Sequence, residues 1–259
     1  MTEPWSPSQI SVAFMTCPRE PDYLGQTLAS FFSADSRAAE FAEVVVAVDA
    51  ADLECVGDLR HHEGVRFVPR TDEESARIAG FELHRKACHN YWRTMGMAPQ
   101  GVRAVLVCED DVVFREGWVG MLMESLNEMQ ESGLQEFILA VYSARDHESE
   151  SLRRGQYYSS YVASGFFGTQ SMLYTAGEVE PVREIVWNHG VVSPDEPYDL
   201  LMKRRAIERQ HLYATRCSLA QHTGAKTTGL GGFHKSPSFE REWPSPSSGT
   251  GPIVPKARV

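Results

Sequence analysis

Three short apolar runs, Ile10 to Met15, Glu43 to Val48 and Arg103 to Cys108, constrain the fold of this chain more than any other feature. Apolar and β-branched residues follow one another in them without the polar alternation of a sheet that has one wet face. Strands buried on both faces read this way. Helical patterns separate the runs. Asp22 to Phe32 is one; Asp72 to Met95 is a second, with Leu83, Ala87, Tyr91 and Met95 on one face and Gly96 as a stop signal. Glu116 to Met129 is a third, with Trp118, Leu122 and Leu126 aligned. Alternation of strand and helix predicts an α/β fold with a mostly parallel central sheet and helices on both faces. Ligands of such a sheet collect at the carboxyl ends of its strands.

Val65 to Val68 is a shorter run of the same kind. Strands are expected near Phe137 to Tyr142 and Tyr157 to Val162, flanking the charged stretch Arg145 to Gly155, for which a lid is one possible role. Two further helices are expected over Glu178 to Asn188 and Asp195 to Glu208. The second opens on Ser193-Pro194-Asp195-Glu196, where a cap residue, a proline and carboxylates favour a helix N-terminus. A chain of 259 residues can bury one sizeable core, so residues 1–236 are read as one domain. Residues 237–259 form a Pro/Ser/Gly-rich tail, expected to be extended unless it packs over the domain.

A net charge of −10 excludes broad, sequence-independent binding to nucleic acid, which needs many Lys and Arg contacts to phosphate. No stretch approaches the roughly 20 apolar residues of a membrane span, and the first residues lack the basic and apolar regions of a signal peptide. These features predict a cytoplasmic protein. The five cysteines are odd in number and contain no Cys-x-x-Cys pair, which speaks for free thiols and against a zinc cage or a disulfide framework.

The apolar run to Cys108 feeds directly into Glu109-Asp110-Asp111. Adjacent carboxylates at a strand end repel one another and need a cation, backbone amides or water to compensate them. Mg²⁺ or Mn²⁺ would do so while also holding substrate phosphates, because hard cations prefer carboxylate oxygens. A solvated strand end with Asp111 closing a turn satisfies the same spacing.

The segment Val105-Leu106-Val107-Cys108-Glu109-Asp110-Asp111-Val112-Val113-Phe114 resembles the acidic "DXD" segment of GT-A-fold glycosyltransferases, in the variant reading Glu-Asp-Asp. The resemblance implies that Glu109 faces the nucleoside and that Asp111 binds a metal bridging the diphosphate, with Asp110 the alternative second carboxylate. It implies further that Thr16 and Arg19, in Thr16-Cys17-Pro18-Arg19, belong to a first loop that wraps the nucleotide, and that Asp49 meets base or ribose. Arg85 and Asn90 lie where such enzymes send polar groups toward the diphosphate. Ala163 to Gln170 looks like the stretch that covers the donor sugar. Glu196 or Asp195 resembles the base of inverting members, His222 in Gln221-His222-Thr223-Gly224 a further metal ligand, and Lys226 a contact to the diphosphate. Helix capping, turn closure and plain solvation are the competing readings of these residues.

The resemblance runs from about Val12 to Lys226 and implies a Mn²⁺- or Mg²⁺-dependent glycosyltransferase. Its donor would be a nucleoside diphosphate sugar, a UDP-sugar favoured, and its acceptor a hydroxyl on a glycan, small molecule or natural product, with inversion. A nucleotidyltransferase, another Mg²⁺-dependent phosphate-handling enzyme, and a non-catalytic nucleotide-sugar-binding protein are the alternatives.

Overall fold

A computed structural model describes residues 3–20, 22–144, 157–161, 166, 168–193, 196–209, 211–224 and 234–243. The three apolar runs form β1 (Ile10–Thr16), β2 (Glu43–Val48) and β4 (Ala104–Glu109), and the shorter one forms β3 (Arg66–Val68). Further strands are β5 (Val112–Phe114), β6 (Ile138–Ala140), β7 (Tyr158–Ser160), β8 (Ser171–Thr175), β9 (Leu212–Thr215) and β10 (Ala220–His222). An eight-stranded sheet has the order β3-β2-β1-β4-β8-β6-β9-β7, and β5 pairs with β10 in a separate two-stranded ribbon. Strands β1, β2, β3, β4, β6 and β9 run one way, while β7 and β8 run the other. The sheet is therefore mostly parallel, as the strand-helix alternation predicts.

Strand β1 shows why its sequence is apolar throughout. Ile10, Val12 and Phe14 enter one core with Leu24, Leu28 and Phe31 of helix α1 (Leu24–Ser33) and Trp118, Leu122 and Leu126 of α4 (Trp118–Glu131). Ala13 enters a second core on the opposite face. There it meets Cys88, Tyr91 and Met95 of α3 (Leu83–Met95), Val182 and Val186 of α5 (Ala176–Val186), and Leu201 and Met202 of α6 (Tyr198–Arg209). With helices on both faces every position of the strand but Met15 is buried, and alternation is lost.

Helix α4 is preceded by its N-cap residue Gly117, whose φ of 70° lies in the left-handed region that favours glycine. Its first amides are capped from a distance: Asp35 Oδ2 accepts from Val119 N at 3.1 Å and Gly120 N at 3.3 Å. Burial works against the Asp35 carboxylate, but hydrogen bonds from Arg37 and Gly120 outweigh it and hold its pKa below the usual range.

Several elements depart from expectation. The pattern over Asp72 to Met95 predicts one helix, yet the chain forms α2 (Asp72–Ile78) and then α3, with Glu82 extended between them. Gly80 breaks the run, and Phe81 turns back to bond Ile78 O at 2.9 Å and pack on the second core. The expected helix over Glu178 to Asn188 is α5, starting at Ala176 and passing into a π-helical turn over Trp187–Val192. Strands β8, β9 and β10 have no counterpart in the sequence reading. Residues 234–243 fold back onto the domain: Ser236 and Ser238 are buried, Ser238 Oγ accepts from Ser218 N at 3.0 Å, and Trp243 stacks on Tyr157 at 5.5 Å. No helix among the described residues is long and apolar enough to cross a membrane.

Candidate functional site

Strand register assembles the site. Met15 of β1 lies opposite Glu109 of β4, so the next residues, Thr16 and Asp110, meet where both strands end. Strand β10 runs antiparallel to β5 with His222 opposite Val112, which sets His222 beside Asp111. Thr223 extends that ribbon, its N–H donating to Asp111 O at 2.8 Å and its hydroxyl to the same carbonyl at 3.0 Å. Gly224 follows so closely that any side chain there would collide with the Asp111 carboxylate. Thr27 of α1 braces the turn from behind, with Oγ1 2.6 Å from Asp110 O and 2.7 Å from Val112 O.

The triplet's three carboxylates have separate surroundings. Glu109 accepts from Tyr198 Oη at 3.0 Å and Thr169 Oγ1 at 3.4 Å. Burial, then the charge of Asp111, pushes its pKa up to about 7. Asp110 accepts from Thr16 on one oxygen and from Arg19 on the other. Burial raises its pKa to about 6 in spite of Arg19. Asp111 Oδ2 lies 3.2 Å from His222 Nε2 and 3.0 Å from Arg19 Nη2. Burial works to raise the Asp111 pKa, but the hydrogen bond and charge of His222, helped by Arg19, bring it below the ordinary value. His222 responds in kind: burial lowers its pKa, and Asp111 more than restores it, leaving it raised. Its ring is edge-on to Tyr142 at 6.4 Å.

Thr16, Arg19, Asp110, Asp111 and His222 thus form one connected cluster, with Glu109 beside it at the end of β4. Asn90 and Asp49 join it through the backbone of Thr16, whose carbonyl accepts from Asn90 Nδ2 at 3.4 Å and Asp49 N at 2.9 Å. The Asp49 side chain pairs with Arg70 at 3.1 Å, and burial raises its pKa against the pull of Arg70. Glu196 pairs with Arg204 of α6 at 2.8 Å, and no bond among the described residues joins it to the triplet. Arg85 is turned away from the cluster: its Nε donates to Val191 O at 2.5 Å, and its guanidinium lies 3.6 Å from the centre of the Phe81 ring. Asp195, Lys226, residues 145–156, residues 162–165 and Phe167 lie outside the described residues. Thr27 and Tyr198 received no role in the sequence reading, and Thr169 and Thr223 lay within segments assigned to the site without roles of their own. Thr27 and Tyr198 sit within helical patterns where a polar atom among apolar neighbours gives little signal.

Among the described residues no group of three His, Cys, Asp or Glu side chains converges on a metal position. Asp111 and His222 do converge, and Asp111 Oδ1 is buried with no hydrogen-bond partner among those residues. Two protein ligands suit a hard divalent cation, which ordinarily keeps waters and takes substrate phosphate oxygens for the rest of its shell. The donor set fits Mg²⁺ or Mn²⁺.

No family model matches the chain, and no curated protein matches it in sequence. Solved structures do match. A galactosyltransferase, LgtC, solved in complex with donor and acceptor sugar analogues, is 14% identical and superposes with a TM-score of 0.50 over 79% of this chain and 72% of that one. An active-site mutant of LgtC is 13% identical with a TM-score of 0.48, covering 79% of this chain and 72% of that one. The 4-diphosphocytidyl-2C-methyl-D-erythritol synthase of Anaerococcus prevotii is 9% identical with a TM-score of 0.46, covering 81% of this chain and 88% of that one. The fold is GT-A-like, and at these identities the likeness is one of fold.

Proposed function

We propose that this protein is a metal-dependent glycosyltransferase that moves a sugar from a nucleoside diphosphate donor to a hydroxyl acceptor. One observation carries the proposal. At the carboxyl end of β4, an acceptor awaiting a cation and a donor awaiting an anion lie in the same cluster. The first is Asp111 Oδ1 and the second is Arg19 Nε, both buried and unpartnered among the described residues. A metal-bound diphosphate carries both complements.

In this reading Asp111 and His222 hold Mn²⁺ or Mg²⁺, which supplies charge neutralisation for the departing diphosphate. Arg19 binds the diphosphate. Thr16, Asn90 and Asp49 line the nucleotide side, with Glu109 toward the nucleoside and Lys226 as a further phosphate contact. Glu196 or Asp195, at the approach to α6, takes the proton from the acceptor hydroxyl as its oxygen attacks the anomeric carbon, so the reaction proceeds with inversion. A UDP-sugar is the donor to try first, and a glycan, small molecule or natural product the acceptor.

Donor turnover measured for UDP-, GDP-, TDP- and CMP-sugars with Mn²⁺ tests the reading. One donor is expected to be consumed by the wild type and lost by about 100-fold in Asp111→Asn and His222→Ala, a typical cost of removing a charged group that acts at the transition state. Nucleotide binding without consumption of any donor would point to a binding protein instead. Turnover unchanged in both variants would place the chemistry elsewhere.

A further inference from the structure

We propose that Arg19 is an internal cation that competes with the divalent metal for Asp111 and so makes metal binding depend on the nucleotide diphosphate. The proposal rests on the reading of Asp111 and His222 as metal ligands and goes beyond it.

Both oxygens of Asp110 are committed, one to Thr16 and the other to Arg19, so Asp110 has little left to offer a metal. The same nitrogen of Arg19, Nη2, also lies 3.0 Å from Asp111 Oδ2. That oxygen is the one His222 Nε2 approaches at 3.2 Å. The guanidinium therefore stands against the carboxylate edge where Asp111 and His222 converge. A divalent ion held there would share one carboxylate with a fixed positive charge in a poorly solvated pocket, where like charges repel strongly. Asp111 is 4% exposed and its Oδ1 has no partner among the described residues, so the acidic pair is only half neutralised by Arg19.

Arg19 is placed to give way. Its side chain is 14% exposed and its guanidinium lies 4.8 Å from the centre of the Tyr23 ring, a cation–π contact beside its ion pairs. Its Nε is buried and unpartnered among the described residues. A diphosphate offers the guanidinium fork several charged acceptors at once, better than the single nitrogen now shared between two carboxylates. Drawn to the diphosphate, Arg19 leaves the Asp111 carboxylate to the metal. Metal and nucleotide then favour each other's binding by the same factor.

Mn²⁺ binding followed by the electron paramagnetic resonance of free Mn²⁺ tests this without turnover. In the absence of nucleotide, Arg19→Gln is expected to bind Mn²⁺ at least tenfold more tightly than the wild type. Arg19→Lys, whose single ammonium cannot serve both carboxylates as well, should fall between them and guards against a misfolded glutamine variant. With UDP, GDP, CDP and TDP tried in turn, one is expected to tighten Mn²⁺ binding to the wild type about tenfold and to affect Arg19→Gln less. Binding no tighter than wild type in both variants would overturn the proposal, as would a wild type indifferent to all four nucleotides. The double variant Arg19→Gln/Asp111→Asn separates the two readings. Loss of the gain supports competition at Asp111, whereas a gain that survives shows that the metal lies elsewhere and removes the site reading itself.

Discussion

Strands β1, β2 and β4 lie in the same sheet as β6, β7 and β9, yet the two halves hold their site residues by different means. The first half consists of parallel strands of six or seven residues, apart from the short β3, each packed on both faces. Thr16 and the triplet sit at strand ends whose positions follow from register alone. The second half is made of strands of three to five residues in mixed directions. Its contributions, Thr169, Tyr198 and His222, arrive from a loop, a helix start and a two-stranded ribbon. A GT-A-like fold thus joins a frame of long, doubly covered strands to a second side held by individual contacts, and such contacts can change without loss of the core.

The sharpest test of that contrast compares two tryptophans. Trp118 is fully buried in the first half, packed on Phe31, Phe41 and Phe114 with ring centres 4.6 to 5.5 Å away, and its Nε1 donates to Phe31 O at 3.2 Å. Trp118→Ala is expected to cost about 4 kcal/mol in urea unfolding. Trp243 is half-buried at the edge of the same core, stacked on Tyr157 and bonded to Glu124 of α4 at 2.6 Å. Trp243→Ala should cost about 1 kcal/mol. Equal costs would mean that residues 234–243 are as much a part of this core as α4, and that the first half is not held by its own strands and helices alone.

A second test concerns acid. His89 of α3 is buried, and neither ring nitrogen has a partner among the described residues. Burial, opposed by Glu74 and reinforced by nearby arginines, lowers its pKa to about 4. Between pH 4 and the ordinary value near 6.5 the unfolded chain binds a proton there that the folded chain does not, so stability falls as pH drops through this window. The loss attributable to His89 should approach about 3 kcal/mol at pH 4, read as the difference between wild type and His89→Phe. If the two proteins lose stability in parallel from pH 7 to pH 4, His89 is solvated or partnered in solution.

The same contrast explains what could be read from sequence. Strands β1, β2 and β4 announce themselves because two covered faces demand unbroken apolar runs, and Glu109-Asp110-Asp111 is conspicuous at the end of one. Strand β8 is Ser-Met-Leu-Tyr-Thr, buried throughout, but five residues between polar neighbours give no period to follow. Strand β10 exists because Val112 and Phe114 offer it an edge, a fact of tertiary pairing that no local pattern carries. The break at Gly80 was hidden because Leu83, Ala87, Tyr91 and Met95 keep helical spacing beyond it. For the site, residue types at strand ends were legible, while the different partners of Asp110 and Asp111 depend on where Arg19 and His222 reach.

Tyr198 adds a side-chain tie to the β4–β8 pairing that joins the halves, and removing one oxygen from it measures that tie. Its ring stacks on Tyr91 of α3 at 4.5 Å, and its hydroxyl donates to Glu109, so helix α6 is fastened both to the second core and to the triplet. Tyr198→Phe keeps the stack and deletes only the hydrogen bond, leaving Glu109 with the longer bond from Thr169. A hydrogen bond of this kind contributes about 1 kcal/mol, which for a chain of this size lowers the melting temperature by about 2–4 °C. Tyr198→Ala, which also loses the stack, should lower it further. A phenylalanine variant that melts with the wild type, beside an alanine variant that does not, would show that stacking alone fastens α6 and that Thr169 is enough to hold Glu109.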